Sequence, residues 1–132
     1  MGKGRRDYTW GVLQDSILPG RFQVNFYEWD TSVLVFNHGY NFCLYKVPAG
    51  YRLFLVGVTC TASLPGINEL SVNNDLGYMH FAYFDLNYVI NFGDIGSVTY
   101  EAGDTLRCHI KSCDPQAFLA FGAAYGVLEE LV

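Results

Sequence analysis

The sequence predicts an all-β domain, an antiparallel sandwich or barrel, behind an extended N-terminal arm. Three features point there. From Arg21 onward, apolar and polar residues alternate with the period of two that sets one face of a strand against a core. Turn-forming residues break that alternation roughly every 8–12 positions. Aromatic residues, 10 Phe, 10 Tyr and 2 Trp among 132 residues, suit the pleated, half-buried surface of a sheet. One domain is the natural count at this length. Residues 1–20 are read as the arm and residues 21–132 as the β-domain.

Each element follows from local pattern. Gly2, Gly4, Gly11 and the Pro19–Gly20 turn interrupt the arm, and no period is sustained there. RFQVNFYEW alternates, with Phe22, Val24 and Phe26 on one face. SVLVFN and YNFCLYKV flank NHG, whose Asn37 and Gly39 accept positive φ, so the pair predicts a hairpin. PAG turns the chain into YRLFLVGVTCTA, where Leu53, Leu55 and Val58 flank Gly57, which predicts a bulge or a close backbone approach. SLPGINELSVNNDLG is read as a polar loop, and YMHFAYFDL and NYVINFG as the strands after it. EAGD turns into TLRCHIKS, where Leu106, Cys108 and Ile110 alternate, and SCDPQ turns into the last segment. In AFLAFGAAYGVLEEL the Ala, Leu and Glu residues favour helix. Gly122, Gly126, Phe118, Phe121 and Tyr125 favour strand, and strand is the reading adopted. The sum is about eight to ten short strands.

Composition bears on partners. Charged residues make up 16% of the chain, against about 25% in an average soluble domain. Hydrophobic residues reach 51%. A small domain has much surface to cover, so part of this apolar excess must lie outside, against a partner, as in a permanent assembly. An aromatic-rich β core is the competing explanation. Net charge is −5, but Lys3, Arg5 and Arg6 sit at the tip, leaving five basic against thirteen acidic residues from Asp7 onward. An acidic body argues against nucleic acid as a partner, because phosphate contacts need Lys and Arg. No apolar run follows the basic tip as a signal peptide requires, and none is long enough to span a membrane. Cys43, Cys60, Cys108 and Cys113 are therefore expected as buried free thiols made in a reducing cytoplasm.

Residues able to do chemistry are present but scattered. His38, His80 and His109 have no metal-ligand spacing, and the Cys108–Cys113 pair has no second pair to complete a zinc site. Ser97 follows GDIG without a nucleophile elbow. Among carboxylates, Glu28 with Asp30, Asp75, Asp85, Asp94, and Glu101 with Asp104 are the candidates for a glycosidase pair. Thirteen carboxylates on so short a chain pair by chance, and Asp104 suits a turn. The expectation is no catalytic residue, no metal and no cofactor. The 63–77 loop carries Asn68, Glu69, Asn73, Asn74 and Asp75 and is followed by Tyr78, a set that suits a sugar site on a rigid scaffold. A plain surface crossover between two sheets explains the same residues and is the preferred reading.

Three segments carry a family resemblance. YKVPAGYRLFLVGVTCTAS resembles the opening of small phage virion proteins, where VPAG turns into a long strand of alternating aliphatics. YEAGDTLRCHIKS is similar to a later turn of that architecture and FLAFGAAYGVLEEL to its closing strand. Over roughly residues 40–130 the chain resembles capsid decoration (cement) proteins of tailed phages and the related sandwich domains of tails and fibres. The resemblance implies a jelly-roll-like antiparallel β-sandwich. It also implies a virion structural protein, not an enzyme, assembled in the host cytoplasm and seated on the capsid surface as a homotrimer. Its partner would be the major capsid protein, with neither nucleic acid nor membrane involved. Lys3, Arg5, Arg6, Tyr8 and Trp10 would then reach over capsid subunits, the basic tip meeting acidic surface and the rings serving as buried anchors. Two alternatives stand beside it. One is a receptor- or glycan-binding fibre domain using Asn73, Asn74, Asp75 and Tyr78. The other is a small cupin-like enzyme, although a metal-bearing cupin needs a clustered HxH that this chain lacks.

Overall fold

The computed structural model describes residues 3–5, 23–75, 77–93, 98–113 and 117–131, with the side chains of 3–5, 78 and 79 outside that description. Among the described residues ten strands follow one another: β1 (Lys3–Arg5), β2 (Gln23–Leu34), β3 (Gly39–Lys46), β4 (Tyr51–Ala62), β5 (Asn68–Asn74), β6 (Gly77–Phe84), β7 (Asn87–Asn91), β8 (Thr99–Tyr100), β9 (Thr105–Ser112) and β10 (Phe118–Glu130). They form two antiparallel sheets, one ordered β1-β2-β10-β4-β7 with β8 also on β4, the other β3-β9-β5-β6. The pairings are nested: β2 with β10, β3 with β9, β4 with β7 and β8, β5 with β6. That is one long ribbon folded at the β5–β6 turn and rolled up, which is the jelly roll.

The core lies between the sheets and is mainly apolar, although Gln23, Glu28 and Glu129 are also fully buried. Val24, Phe26 and Leu34 of β2 face Phe42, Cys43 and Tyr45 of β3, with Leu70, Val72, Leu106, Cys108 and Ile110 filling the centre. Each such side chain contributes about 1.5–3 kcal/mol by burial. Register shifts on β4 and on β3 set which of their residues point inward. On β4 the register shifts opposite Tyr125 and Gly126, so Leu53 and Leu55 face the core before it and Val58 and Cys60 after it. The sequence expectation at Gly57 thus holds, and the Tyr125 ring occupies the space a Cβ there would need. On β3 the shift between Asn41 and Cys43 buries two consecutive residues, Phe42 and Cys43, that a regular strand would send to opposite faces.

Three local expectations are corrected. The segments around NHG do not form a hairpin: β2 lies in one sheet and β3 in the other. Asn37 does take positive φ, 65°, and His38 N–H donates to the Val35 carbonyl at 3.0 Å. The tight turn, however, carries the chain across the sandwich, where Asn37 N–H donates to the Ser112 carbonyl of β9. Gly39 is required for a different reason from the one expected, because the His109 ring and the Ile110 carbonyl crowd its Cα. The 63–77 stretch is not one loop, since Asn68–Asn74 is the strand β5, held between β6 and β9. Its inward Leu70 and Val72 supply the apolar face, and Glu69, Ser71 and Asn73 lie on the other.

The last segment is a strand, β10, paired along its length with β2 and β4. Two tyrosines staple the sheets. The Tyr40 hydroxyl of β3 lies 2.9 Å from the Asp30 carbonyl of β2 and 3.2 Å from the Ala120 carbonyl of β10. Tyr100 of β8 donates to the Asn73 carbonyl of β5 at 3.0 Å.

Candidate functional site

Because the ribbon crosses between sheets at nearly every connection, its turns gather at two opposite ends of the sandwich. One end carries 35–38, 63–67, 85–86, Cys113 and Ala117, and hydrogen bonds tie these connections together. Cys113 N–H donates to the Ile67 carbonyl at 2.9 Å, Gly66 N–H to the Asp85 carboxylate at 2.8 Å, and Ala62 N–H to the Leu86 carbonyl at 2.8 Å. Ser63 and Leu119 exchange two bonds, Ser63 N–H to the Leu119 carbonyl at 2.9 Å and Leu119 N–H to Ser63 Oγ at 2.8 Å.

Apolar side chains crown this end. Val33 and Leu119 stand opposite each other on β2 and β10, 56% and 47% exposed. Val35 and Phe36 follow on the β2–β3 turn, Phe36 being 54% exposed. Leu64 and Ile67 lie on the β4–β5 connection, Leu86 on the β6–β7 connection, and Val89 just beyond it on the outer face of β7. The other large exposed hydrophobics of the described residues, Leu44, Phe81 and Tyr83, share the outer face of the second sheet. These side chains are the larger share of the exposed large hydrophobics among the described residues.

The opposite end is built of polar turn chemistry. Gly50 and Gly103 take positive φ, 85° and 91°. Asp104 Oδ2 accepts the Glu101 N–H at 2.8 Å, and Arg52 Nε lies 2.9 and 3.1 Å from the Glu101 carboxylate oxygens. The paired acids Glu101 and Asp104 are thus occupied with the turn. A hollow of about 420 Å³ here is lined by Lys46, Val47, Pro48, Ala49, Ala102 and Gly103. Its wall offers one charged group, Lys46, and no second polar side chain with which to orient a ligand.

The residues singled out from sequence divide as follows. Lys3 and Arg5 lie on β1, whose backbone pairs with the outer edge of β2 in the register Lys3↔Asp30 and Arg5↔Glu28. Arg6, Tyr8 and Trp10 lie outside the described residues, as do Asp94 and Ser97. Asn73 and Asn74 end β5, and Asp75 opens the turn into β6, on which Tyr78 pairs with Asn73. Asp75 Oδ2 accepts the Thr105 N–H at 3.2 Å, a structural use of that carboxylate. These four residues therefore sit at a hairpin tip and not on an open loop.

The histidines occupy three unrelated surroundings. His38 is exposed in the β2–β3 turn, and His80 faces inward against the Tyr88 hydroxyl at 3.2 Å. His109 lies on the outer face of β9 with Nδ1 3.0 Å from Asn41 Oδ1, and burial followed by Lys111 lowers its pKa. None of the four cysteines is disulfide-bonded. Burial pushes the Cys60 thiol up to about 12. Burial, followed by a hydrogen bond with Cys43, raises Cys108 as well. Thiols held in this state are poor nucleophiles.

The apolar end was not singled out from sequence. Its signal was there, in large apolar residues placed within turn segments, as in VFNHG, SLPGIN and FDLN, where polar residues are the rule. Compared with family models, with curated proteins and with solved structures, the chain returns no match.

Proposed function

We propose that this chain is a structural assembly module, a capsid decoration protein that binds the outer capsid surface as a homo-oligomer. The apolar end carries the reading. Obligate interfaces between copies of a chain are more apolar than transient ones and resemble a core cut in half. Exposed apolar residues such as Val33, Phe36 and Leu119 suit burial between symmetric copies. The low charge of the chain accords with that burial. The resemblance to cement proteins supplies the trimer and the major capsid protein as the surface gripped, and it gives the basic, aromatic arm the role of anchor.

The test is decoration of expanded capsid shells by purified chain, followed by sedimentation. Full chain is expected to co-sediment, and deletion of residues 2–12 is expected to abolish this. Full occupancy by the truncated chain would overturn the arm's role, and failure of the full chain to bind any shell would overturn the capsid reading.

A further inference from the structure

Three thiols are buried within the core, and two of them face each other. Register sets Cys43 of β3 directly opposite Cys108 of β9. Both are fully buried, and Cys108 points inward with Leu106 and Ile110. Cys43 joins it only through the register shift between Asn41 and Cys43, which buries Phe42 and Cys43 together. A regular strand with Phe42 inward would turn Cys43 to the outer face, away from Cys108. The two thiols are hydrogen-bonded to one another. Facing residues of an antiparallel pair have Cα atoms about 4.5–5.5 Å apart, within the roughly 4.4–6.8 Å that a disulfide spans. The third buried thiol, Cys60, belongs to β4 in the other sheet, and packed sheets lie about 10 Å apart. Cys113 stands beyond the end of β9, partly exposed, with its Sγ against Glu69. Register therefore selects one pair from the four cysteines. Among the described residues no three His, Cys, Asp or Glu side chains are grouped to hold a metal, which leaves cross-linking as the chemistry open to two facing thiols.

We propose that Cys43 and Cys108 are a cross-linking site, closed to a disulfide by exchange with a small-molecule disulfide of the glutathione class. One cysteine thiolate attacks a glutathione sulfur and expels a glutathione thiolate. The second cysteine thiolate then attacks the sulfur of the first and expels the other glutathione. The S–S bond of the oxidant breaks, the protein S–S bond forms, and the two cysteine protons pass to the two glutathione thiolates. Access comes through β3, an edge strand of its sheet, since local opening of an edge breaks fewer contacts than opening of the core strands. Burial makes exchange slow in the closed sandwich. The pair therefore stays reduced where free thiols dominate and closes in oxidising surroundings, during folding or while β3 is open. Once made, the bond ties β3 to β9 across the long stretch of chain between them, which constrains the unfolded chain and adds to stability. The site stands on these two strands alone and is independent of the assembly reading.

The experiment unfolds reduced full-length chain and refolds it in oxidised glutathione, with a small share of reduced glutathione to permit reshuffling. A parallel sample is refolded in dithiothreitol, and circular dichroism compares the two folds. The oxidised sample is expected to keep the fold, to lose two hydrogens in mass, and to yield a peptide joining Cys43 to Cys108 on non-reducing digestion. It is also expected to unfold at higher urea than the reduced sample. Cys43→Ala and Cys108→Ala are each compared with themselves, oxidised against reduced, so a lower starting stability does not blur the result. Both are expected to lose the cross-link and the shift, whereas Cys60→Ala keeps them. The peptide map of the unaltered chain needs no variant at all. A native fold with all four thiols free after oxidative refolding would overturn the proposal. So would a cross-link made chiefly by Cys60 or Cys113, or a Cys43–Cys108 bond that disturbs the fold or fails to raise the urea midpoint.

Discussion

The ring of Phe42, on β3, rests directly on the bare Cα of Gly122, on β10, and so sets how closely the two sheets approach at mid-sandwich. Phe42 is fully buried because of the β3 bulge. Gly122 is present because any Cβ would enter the ring. Gly122→Ala is expected to destabilise by about 1–3 kcal/mol through overpacking, and Phe42→Ala by about 3–5 kcal/mol through loss of contact and the cavity left behind. Urea unfolding of both variants and of the double variant measures this. In the double variant the alanine methyl fills part of the cavity, so the two effects are expected to sum to less than their separate values.

Thiol reactivity should sort the cysteines. Cys43, Cys60 and Cys108 are buried, while Cys113 is partly exposed, with its Sγ 3.1 Å from Glu69 Oε2. In native protein at pH 8, Cys113 is expected to react first with a thiol reagent, and the other three only on unfolding. Mass spectrometry of labelled peptides reads the order.

His109 ties stability to pH. Its folded pKa lies below the ordinary value of 6.5, chiefly through burial, so the unfolded chain binds that proton more readily. Its contribution is present above about pH 6.5 and is lost as pH falls through the lower folded value. His109→Gln should flatten the dependence of urea midpoint on pH in that window while leaving higher pH little changed.

Arg52 joins a surface and a buried carboxylate. Its guanidinium lies 2.9 Å from Glu101 and 3.7 Å from Glu129, whose side chain is almost wholly buried. Gln23 Nε2 donates to the same Glu129 carboxylate at 3.5 Å. Arg52→Ala is expected to cost about 1–3 kcal/mol by removing the cation from a buried acid. Adding Glu129→Gln should recover part of that loss, as measured by thermal unfolding.

Much of the fold was legible in residue pattern, and the losses have physical causes. Leu106, Cys108 and Ile110 alternate cleanly, so β9 was plain. Gly57 marked the β4 bulge, and Gly122 and Gly126 weighed correctly against a helix in β10. The β2–β3 connection was misjudged because Asn37 at positive φ serves a hairpin and a crossing turn alike, and only the distant Ser112 distinguishes them. β5 was missed because only Leu70 and Val72 mark its inward face among Asn, Glu and Ser. The apolar end escaped notice because its residues are far apart in sequence and meet only when the ribbon is rolled.

The most direct test of the assembly account is the native mass of the full-length chain in solution at about 10 µM, a concentration at which an obligate oligomer stays associated. The account predicts a single species of three times the 14.8 kDa chain mass, reduced to monomer by Phe36→Asp combined with Leu119→Asp. A stable, folded monomer of the unaltered chain at that concentration, or an oligomer untouched by the double variant, would contradict it.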